Sequence, residues 1–342
     1  MQPVRQEDTK ALRLLLEHSQ TVTVLGHTHP DGDALGCTAA MGLFLKETMG
    51  KDAACAFPDY PADNLLFILP DNLSCHFLDR SPEQTLQRIR ESDLVILMDC
   101  NAFSRTEGLQ STLEESAARK VLIDHHLNPD REAFDTVFST PDVSSASELL
   151  YWILHTLTEG APLPVNIGEA LLAGMTTDTN NFANSVFPST FRMASELIAS
   201  GVDREALLQR IYSSYRENRV RLMGYMQSEQ LHILPCGASY MILTREIQQR
   251  FDLRDGESEG LVNVPLSIGK VRLSVLLKEE RDHFRVSVRS KKGTSAQLLA
   301  QRYFHGGGHE NAAGGKLHIG SDIPAPADAA RYVEQALTLF FA

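Results

Sequence analysis

Short apolar runs that end in polar residues alternate with helically spaced stretches over the first part of the chain. Thr21-Val-Thr-Val-Leu-Gly26 is apolar and β-branched, the pattern of a buried strand. Asp52 to Phe57, Asp93-Leu-Val-Ile-Leu-Met-Asp99 and Lys120-Val-Leu-Ile-Asp-His125 repeat it. Helical patterns lie between and after them, over 33–49, 144–157 and 165–176, and continue to about Met226. Strands of this kind separated by helices predict an α/β fold with a parallel sheet flanked by helices. The pattern then changes. Ser213-Ser-Tyr-Arg-Glu-Asn-Arg-Val-Arg221 is polar and charged, as in a linker or the exposed face of a connecting helix. Beyond it, strand patterns at 231–235, 239–244, 270–278 and 283–289 mix with helices expected at 257–262, 294–303 and 326–341. The reading is a catalytic-size domain over 1–212, a linker or connecting helix over 213–228, and a smaller α+β domain over 229–342.

Composition narrows the class. In 342 residues, 43% hydrophobic and 22% charged positions describe an ordinary globular protein. No apolar run approaches the ~18 residues of a membrane span, and the first residues lack a signal-peptide pattern, so a cytoplasmic location is expected. The cysteines Cys37, Cys55, Cys75, Cys100 and Cys236 are scattered and never form a CxxC pair, which reads as reduced thiols. With 44 acidic against 32 basic side chains, the net charge of −12 disfavours duplex DNA as a partner. A small phosphate substrate stays open if cations offset the acids locally.

The acids and histidines are concentrated at strand ends. His27-Thr-His-Pro-Asp31-Gly-Asp33 follows the first strand, Asp99 ends the third, and Asp124-His125-His126 ends the fourth. Asp178 lies near the end of a later helix. In a parallel sheet the carboxyl ends of the strands line one edge, where ligands bind. Singly, each has a plain reading: Asp99 as a turn former, Asp33 as a helix cap, the His pair as solvated. Together they predict one pocket whose acids need cations. Imidazole and carboxylate without thiolate suit Mn²⁺, Fe²⁺ or Mg²⁺, and the number of donors allows two ions sharing an aspartate. His29 is left out of that shell. Further on, Gly306, Gly307 and Gly308 precede His309, a sequence able to form an anion-binding nest. Arg289 is the cation expected to grip a phosphate beside it, with Lys291 and Lys292 solvated.

On these segments the chain resembles the DHH phosphoesterase superfamily. The matching residues are Gly26-His-Thr-His-Pro-Asp-Gly-Asp-Ala-Leu-Gly36, Leu97-Met-Asp99, Ile123-Asp-His-His126 and Thr177-Asp178. Gly306-Gly-Gly-His-Glu-Asn-Ala-Ala-Gly-Gly315 resembles the DHH-associated substrate-binding domain. Cys37 departs from the pattern, since many relatives carry Ser there. The resemblance is greatest to the nano-RNase/pAp phosphatase branch, also labelled exopolyphosphatase-related. It implies an exonuclease-like phosphoesterase that hydrolyses short RNA oligonucleotides and removes the 3′-phosphate of 3′-phosphoadenosine 5′-phosphate (pAp), with its active site in the interdomain cleft. It also implies two Mn²⁺, with Mg²⁺ or Fe²⁺ as alternatives. His27, Asp31 and Asp99 would hold one ion; Asp33, Asp99, His125 and Asp178 the other. Asp124 would orient the imidazoles, and His126 would meet the scissile phosphate. Arg289, Gly306, Gly307, Gly308 and His309 would bind substrate. A homodimer stays open. The competing readings are a cyclic-dinucleotide phosphodiesterase, an exopolyphosphatase, and a non-catalytic nucleotide-binding module.

Overall fold

A computed structural model describes residues 4, 7, 9–254 and 256–342; the side chain of His309 is also outside the described set. The chain divides into two compact units, residues 1–214 and 215–342.

The first unit is a doubly wound α/β layer. Its strands are β1 (Thr21–Leu25), β2 (Asp52–Phe57), β3 (Ser74–Phe77), β4 (Leu94–Met98), β5 (Arg119–Asp124) and β6 (Thr136–Ser139). All pair in parallel, in the order β3-β2-β1-β4-β5-β6. The helices are α1 (Lys10–His18), α2 (Gly32–Leu43), α3 (Pro82–Arg90), α4 (Gln110–Glu115), α5 (Ala146–Leu157), α6 (Val165–Asp178), α7 (Pro188–Ala199) and α8 (Arg204–Tyr212). Successive strand residues point to opposite faces, and the two cores follow that alternation. Val22, Val24, Ile96 and Ile123 pack with Leu35 and Met41 of α2, Leu150 of α5 and Leu171 of α6. Leu25, Val95, Leu97 and Leu122 pack on the other side with Ile89 of α3 and Leu113 of α4. Burial on both faces is why these strands read as unbroken apolar runs.

The tightest helix contact in this unit is α2 against α6, through glycine. A Cβ on Gly36 would meet the Ala170 carbonyl oxygen at 2.5 Å and the Gly174 Cα at 2.9 Å. One on Gly32 would run into the Thr177 side chain. The start of α2 therefore lies on the end of α6, backbone against backbone. Past Leu43 the helix widens into a π-helical turn, Phe44–Thr48, within the stretch expected to be helical.

The second unit is an α+β layer. It contains α9 (Glu217–Glu229), β7 (His232–Ile233), β8 (Ala238–Leu243), α10 (Arg245–Arg250), β9 (Leu273–Glu279), β10 (His283–Ser290), α11 (Ala296–Tyr303), β11 (Gly307–His309), β12 (Ala312–His318) and α12 (Ala329–Phe341). The sheet order is β11-β12-β10-β9-β8-β7, antiparallel except for the β8–β9 pair. Tyr240, Val275, Phe284 and Val288 pack with Leu299 of α11 and Val333 and Leu337 of α12. The polar stretch after Ser213 differs from a linker: Leu222 and Met226 of α9 are buried with Met241, Leu243 and Leu261, so this helix is part of the second core. The helix expected at 257–262 is also corrected. The chain turns there and forms a 3₁₀ segment, Leu261–Ser267, whose Pro265 cannot donate an α-helical bond. Among the described residues no helix is long and apolar enough to cross a membrane.

Gly36→Ala tests the helix contact. Helix propensity alone favours Ala by about 1 kcal/mol, but overpacking against backbone costs about 1–3 kcal/mol and the Ala170 carbonyl cannot rotate away. Denaturant unfolding is expected to show a net loss of stability; a gain would mean the two helices separate at no cost.

Candidate functional site

The strand order explains where the site lies. The order reverses between β1 and β4, and the crevice outside the carboxyl ends of such a pair is where open α/β sheets bind ligands. The loop after β1 carries His27 and Asp31, Asp99 follows β4, and Asp124, His125 and His126 close β5. Asp33 enters from the first turn of α2 and Asp178 from the last residue of α6. The α2–α6 glycine contact brings these two aspartates to the same place.

Three sets of donor atoms converge, each within 4.8 Å: His27, Asp31 and Asp99; Asp33, His125 and Asp178; and Asp99, His125 and His126. Asp99 belongs to the first and third sets and His125 to the second and third, which links all three. One of its oxygens lies 3.4 Å from His27 Nε2, the other 3.3 Å from His125 Nε2. His125 Nε2 is also 3.7 Å from Asp178. Asp99 is held in the left-handed region at φ 52°, a strained conformation that Asp tolerates better than most residues. Its amide donates to the Ile123 carbonyl at 3.0 Å, which ties the strained turn to the end of β5.

Each neighbour is braced. Asp31 caps α2, its Oδ1 accepting the amides of Asp33 and Ala34 at 3.0 Å each. The plain reading of Asp33 as the cap of α2 does not apply: Asp33 accepts the amides of Ala146 and Ser147 at 2.7 and 3.0 Å, at the amino end of α5. Two aligned amides and the positive end of a helix suit a buried carboxylate. His27 Nδ1 is 2.7 Å from the Thr28 carbonyl, which leaves Nε2 facing Asp99. Asp124 is fully buried and holds His126 alone, accepting its ring Nδ1 at 2.7 Å and its amide at 3.1 Å. The expectation that Asp124 orients both imidazoles is corrected: the His125 ring turns its Nε2 towards Asp99 and Asp178 instead. His29 is exposed and pairs with Asp59, apart from the convergent sets.

The residues fit cations. Asp99 Oδ1 is buried and makes no hydrogen bond, although two imidazole nitrogens lie at 3.3 and 3.6 Å. Such an oxygen is costly unless an unshared positive charge satisfies it. The protonation pattern agrees. Burial opposes charge on His27, yet its contact with Asp99 and the charge of Asp31 raise it to about 9. His125 is raised to about 10, because Asp99, Asp33 and Asp178 outweigh burial. Against its own burial, Asp99 is held below the usual carboxylate range by the same two histidines. Burial, with Asp99 and Asp178 nearby, pushes Asp33 well above that range. Asp178 rises to about 7 through loss of water around it, with the charges of Asp99 and Asp31 adding. Without cations, protons do the neutralising. The set is a candidate metal site.

Arg105 is a site residue that the sequence reading missed. It lies six positions past Asp99, in a loop that folds back over the strand ends. Its Nη1 lies 3.3 Å from His126 Nε2 and 3.4 Å from the Asp99 carbonyl oxygen. Its own carbonyl accepts the Thr28 amide at 3.0 Å. A basic residue shortly after a strand-end aspartate was the available signal.

Arg289 and the triple glycine belong to the second unit. Arg289 stands opposite Ala312, which also faces His309 across the hairpin, so the three form one row across β10, β12 and β11. Nη1 of Arg289 donates to the Val288 carbonyl at 3.0 Å. The expected anion nest is corrected. The Gly306 amide donates to Ala300 O at 3.1 Å, and residues 307–309 are a strand paired with β12. Packing explains two of these glycines: Gly306 has no room for a Cβ against Gly314 and Gly315, and Gly308 has φ 140° with Ala312 O at 2.6 Å from a Cβ. The His309 side chain lies outside the described residues.

Comparison with known proteins agrees with this geometry. The DHH family, N-terminal domain, matches residues 21–175, and the DHHA1 domain matches residues 238–335. An exopolyphosphatase-related protein from Bacteroides fragilis has a crystal structure that superimposes with a TM-score of 0.92 at 30% identity, covering 98% of this chain and 97% of that one. The bifunctional oligoribonuclease and PAP phosphatase NrnA of Bacillus subtilis is 28% identical over 87% of this chain and 90% of its own. The cyclic-di-AMP phosphodiesterase GdpP of Geobacillus thermodenitrificans is 31% identical over 62% of this chain but only 32% of its own length. The motifs, the strand-end cluster and these matches agree: the chain belongs to the DHH family of phosphoesterases, in its two-domain form with a DHHA1 domain.

Proposed function

We propose that this protein hydrolyses short RNA oligonucleotides and the 3′-phosphate of pAp, with two divalent cations, Mn²⁺ ahead of Mg²⁺ or Fe²⁺. The linkage of three donor sets through Asp99 and His125 carries the reading, because Asp99 sits in one set with His27 and Asp31 and within reach of His125 of the other, and a shared aspartate between two clusters is the arrangement that two-metal hydrolysis at phosphorus needs. Near full-length similarity to the Bacillus subtilis enzyme supports the substrate class. His27, Asp31 and Asp99 would hold one cation, and Asp33, Asp99, His125 and Asp178 the other. Bound there, the cations would neutralise the acids, polarise the phosphoryl oxygens and lower the pKa of water to near 7.

The residues of the chain do the rest. Water adds to phosphorus, the bond to the ribose oxygen breaks, and that oxygen leaves as a hydroxyl with a proton from the water. Asp124 holds His126 through its ring Nδ1 and its amide, and His126 would meet the scissile phosphate. Asp99, strained and buried, keeps both donor sets in register. Arg289 and the β11–β12 hairpin are the residues of the second unit that would contact substrate. No cysteine is needed as a nucleophile, and Cys100, near Asp99, is buried.

Three outcomes are expected. Asp99→Asn keeps a residue tolerant of positive φ and so keeps the fold by circular dichroism, yet loses both cations by elemental analysis and drops pAp turnover by roughly 10³-fold or more; an active, cation-loaded variant would refute the shared role. Second, cation binding must displace the protons that Asp99 and its neighbours hold on His27 and His125, both raised well above neutrality. Titration calorimetry of Mn²⁺ at pH 7 in buffers of different ionisation enthalpy is expected to show net proton release, from the two histidines and from the raised carboxyls of Asp33 and Asp178. Affinity should rise with pH until those histidines deprotonate unaided, near pH 9 and 10; pH-independent affinity contradicts the ligand set. Third, in a panel of pAp, di- to pentanucleotides, longer RNA, cyclic dinucleotides and polyphosphate, pAp and the shortest oligonucleotides should turn over fastest. Preference for long RNA or polyphosphate would reverse the assignment, and cation retention without any turnover would restore the binding-module reading.

A further inference from the structure

The charge balance of the site leaves work for a cation from the chain itself. Asp31, Asp33, Asp99, Asp124 and Asp178 all lie at or beside the pocket. Two divalent ions against these five carboxylates leave about one negative charge uncompensated. A phosphate monoester then brings two more charges, a diester only one. The monoester also presents three non-bridging oxygens where the diester presents two.

Arg105 is placed to meet that demand. It is half-buried and stands against His126 and Asp99, among carboxylates, yet among the described residues it forms an ion pair with none of them. Its two bonds, at 3.3 and 3.4 Å, both use Nη1 and are long for a guanidinium, whose charge-assisted bonds run about 2.7–2.9 Å. Nε and Nη2 carry no bond within the described structure, so the planar fork is unspent. Arg88 shows the contrast: its guanidinium bonds Thr23, Val22 and both oxygens that Asp52 offers it. The backbone that presents Arg105 is also distorted, with Glu107 at φ 42° and ψ −110° interrupting the 3₁₀ segment two residues later. Strain of this kind persists where the surroundings enforce a particular placement.

We infer that Arg105 is a substrate-contacting catalytic residue, whose guanidinium takes a non-bridging oxygen of the phosphoryl group and so favours phosphate monoesters over diesters. The inference rests on the proposed two-substrate activity and deepens it. On substrate entry a phosphoryl oxygen replaces His126 Nε2 as the acceptor of Nη1, and the fork closes on it with a second N–H. The third oxygen and second charge of a monoester depend on this contact. A diester, with less charge to neutralise, depends on it less.

Arg105→Ala and Arg105→Lys, prepared with Mn²⁺, separate this role from a structural one. Removing a donor to developing charge lowers kcat by roughly 10²–10³-fold, and that loss is expected for pAp, with a dinucleotide losing about ten times less. Lys should recover part of the pAp rate, as a charge without the fork, and guanidinium ion added to the Ala variant should recover more. Elemental analysis should find both cations retained. Equal losses on the two substrates, or loss of the cations, would assign Arg105 to holding the loop and overturn the inference. A wild type that hydrolyses neither substrate would remove the proposed function instead. In that event the affinity of the Mn²⁺-loaded protein for inorganic phosphate decides: weaker binding by Arg105→Ala upholds the contact, and unchanged binding refutes it.

Discussion

Mutual repulsion among buried carboxylates is the constraint around which the first unit is organised. Asp33, Asp99 and Asp124 are almost fully buried, and Asp31 and Asp178 border them. Like charges at this spacing would scatter unless the fold gave each a fixed place. The structure does so with different means for each acid. Asp31 takes the amides of its own helix, Asp33 those of a distant helix, and Asp124 an amide and a ring of the residue two positions on. Among the described residues of the pocket, Asp99 alone keeps a fully buried side-chain carboxylate oxygen without a hydrogen bond, and that oxygen lies where the histidines meet. The polar arrangement therefore divides Asp31, Asp33 and Asp124, which take hydrogen bonds from the protein, from Asp99 and Asp178, which face the histidines.

The parallel sheet makes this division workable. Strand ends give each loop a rigid root, and the reversal between β1 and β4 opens the crevice at the loops that carry His27, Asp31 and Asp99. Residues that border the pocket come from four separate stretches of chain, so no single loop movement can assemble or dismantle it. In the second unit the glycine-rich hairpin follows a different logic. There the glycines allow backbones to pack, and Arg289 shares a cross-strand row with the hairpin rather than a nest of free amides.

Much of this was readable from the chain because the determinants were local. Apolar runs buried on both faces mark β1, β2, β4 and β5, and the strand-end acids locate the edge on which they gather. The short edge strands β3 and β6 were not readable: Ser74-Cys-His-Phe77 and Thr136-Val-Phe-Ser139 are too short to show a period and are only partly buried. The placement of Arg105 depends on a loop folding back across Asp99, and the partner of Asp33 depends on α5 beginning more than a hundred residues away. Both are tertiary facts without a local signature. The resemblance implied that Asp124 orients the imidazoles, but after the strand the two histidines turn to different neighbours.

The glycine contact between α2 and α6 has a thermodynamic consequence. Gly32 and Gly36 fit against Thr177 and Gly174, so the antiparallel helix pair sets the spacing of Asp33 and Asp178 before any ion arrives. The ordering entropy of the cage is then spent during folding, and an incoming ion loses little to reorganisation. The same electrostatic tension that makes the empty cage uncomfortable becomes a reserve that ligation releases. Folding and ligation are thereby linked, each strengthening the other, and the melting temperature of the first unit becomes a gauge of free metal.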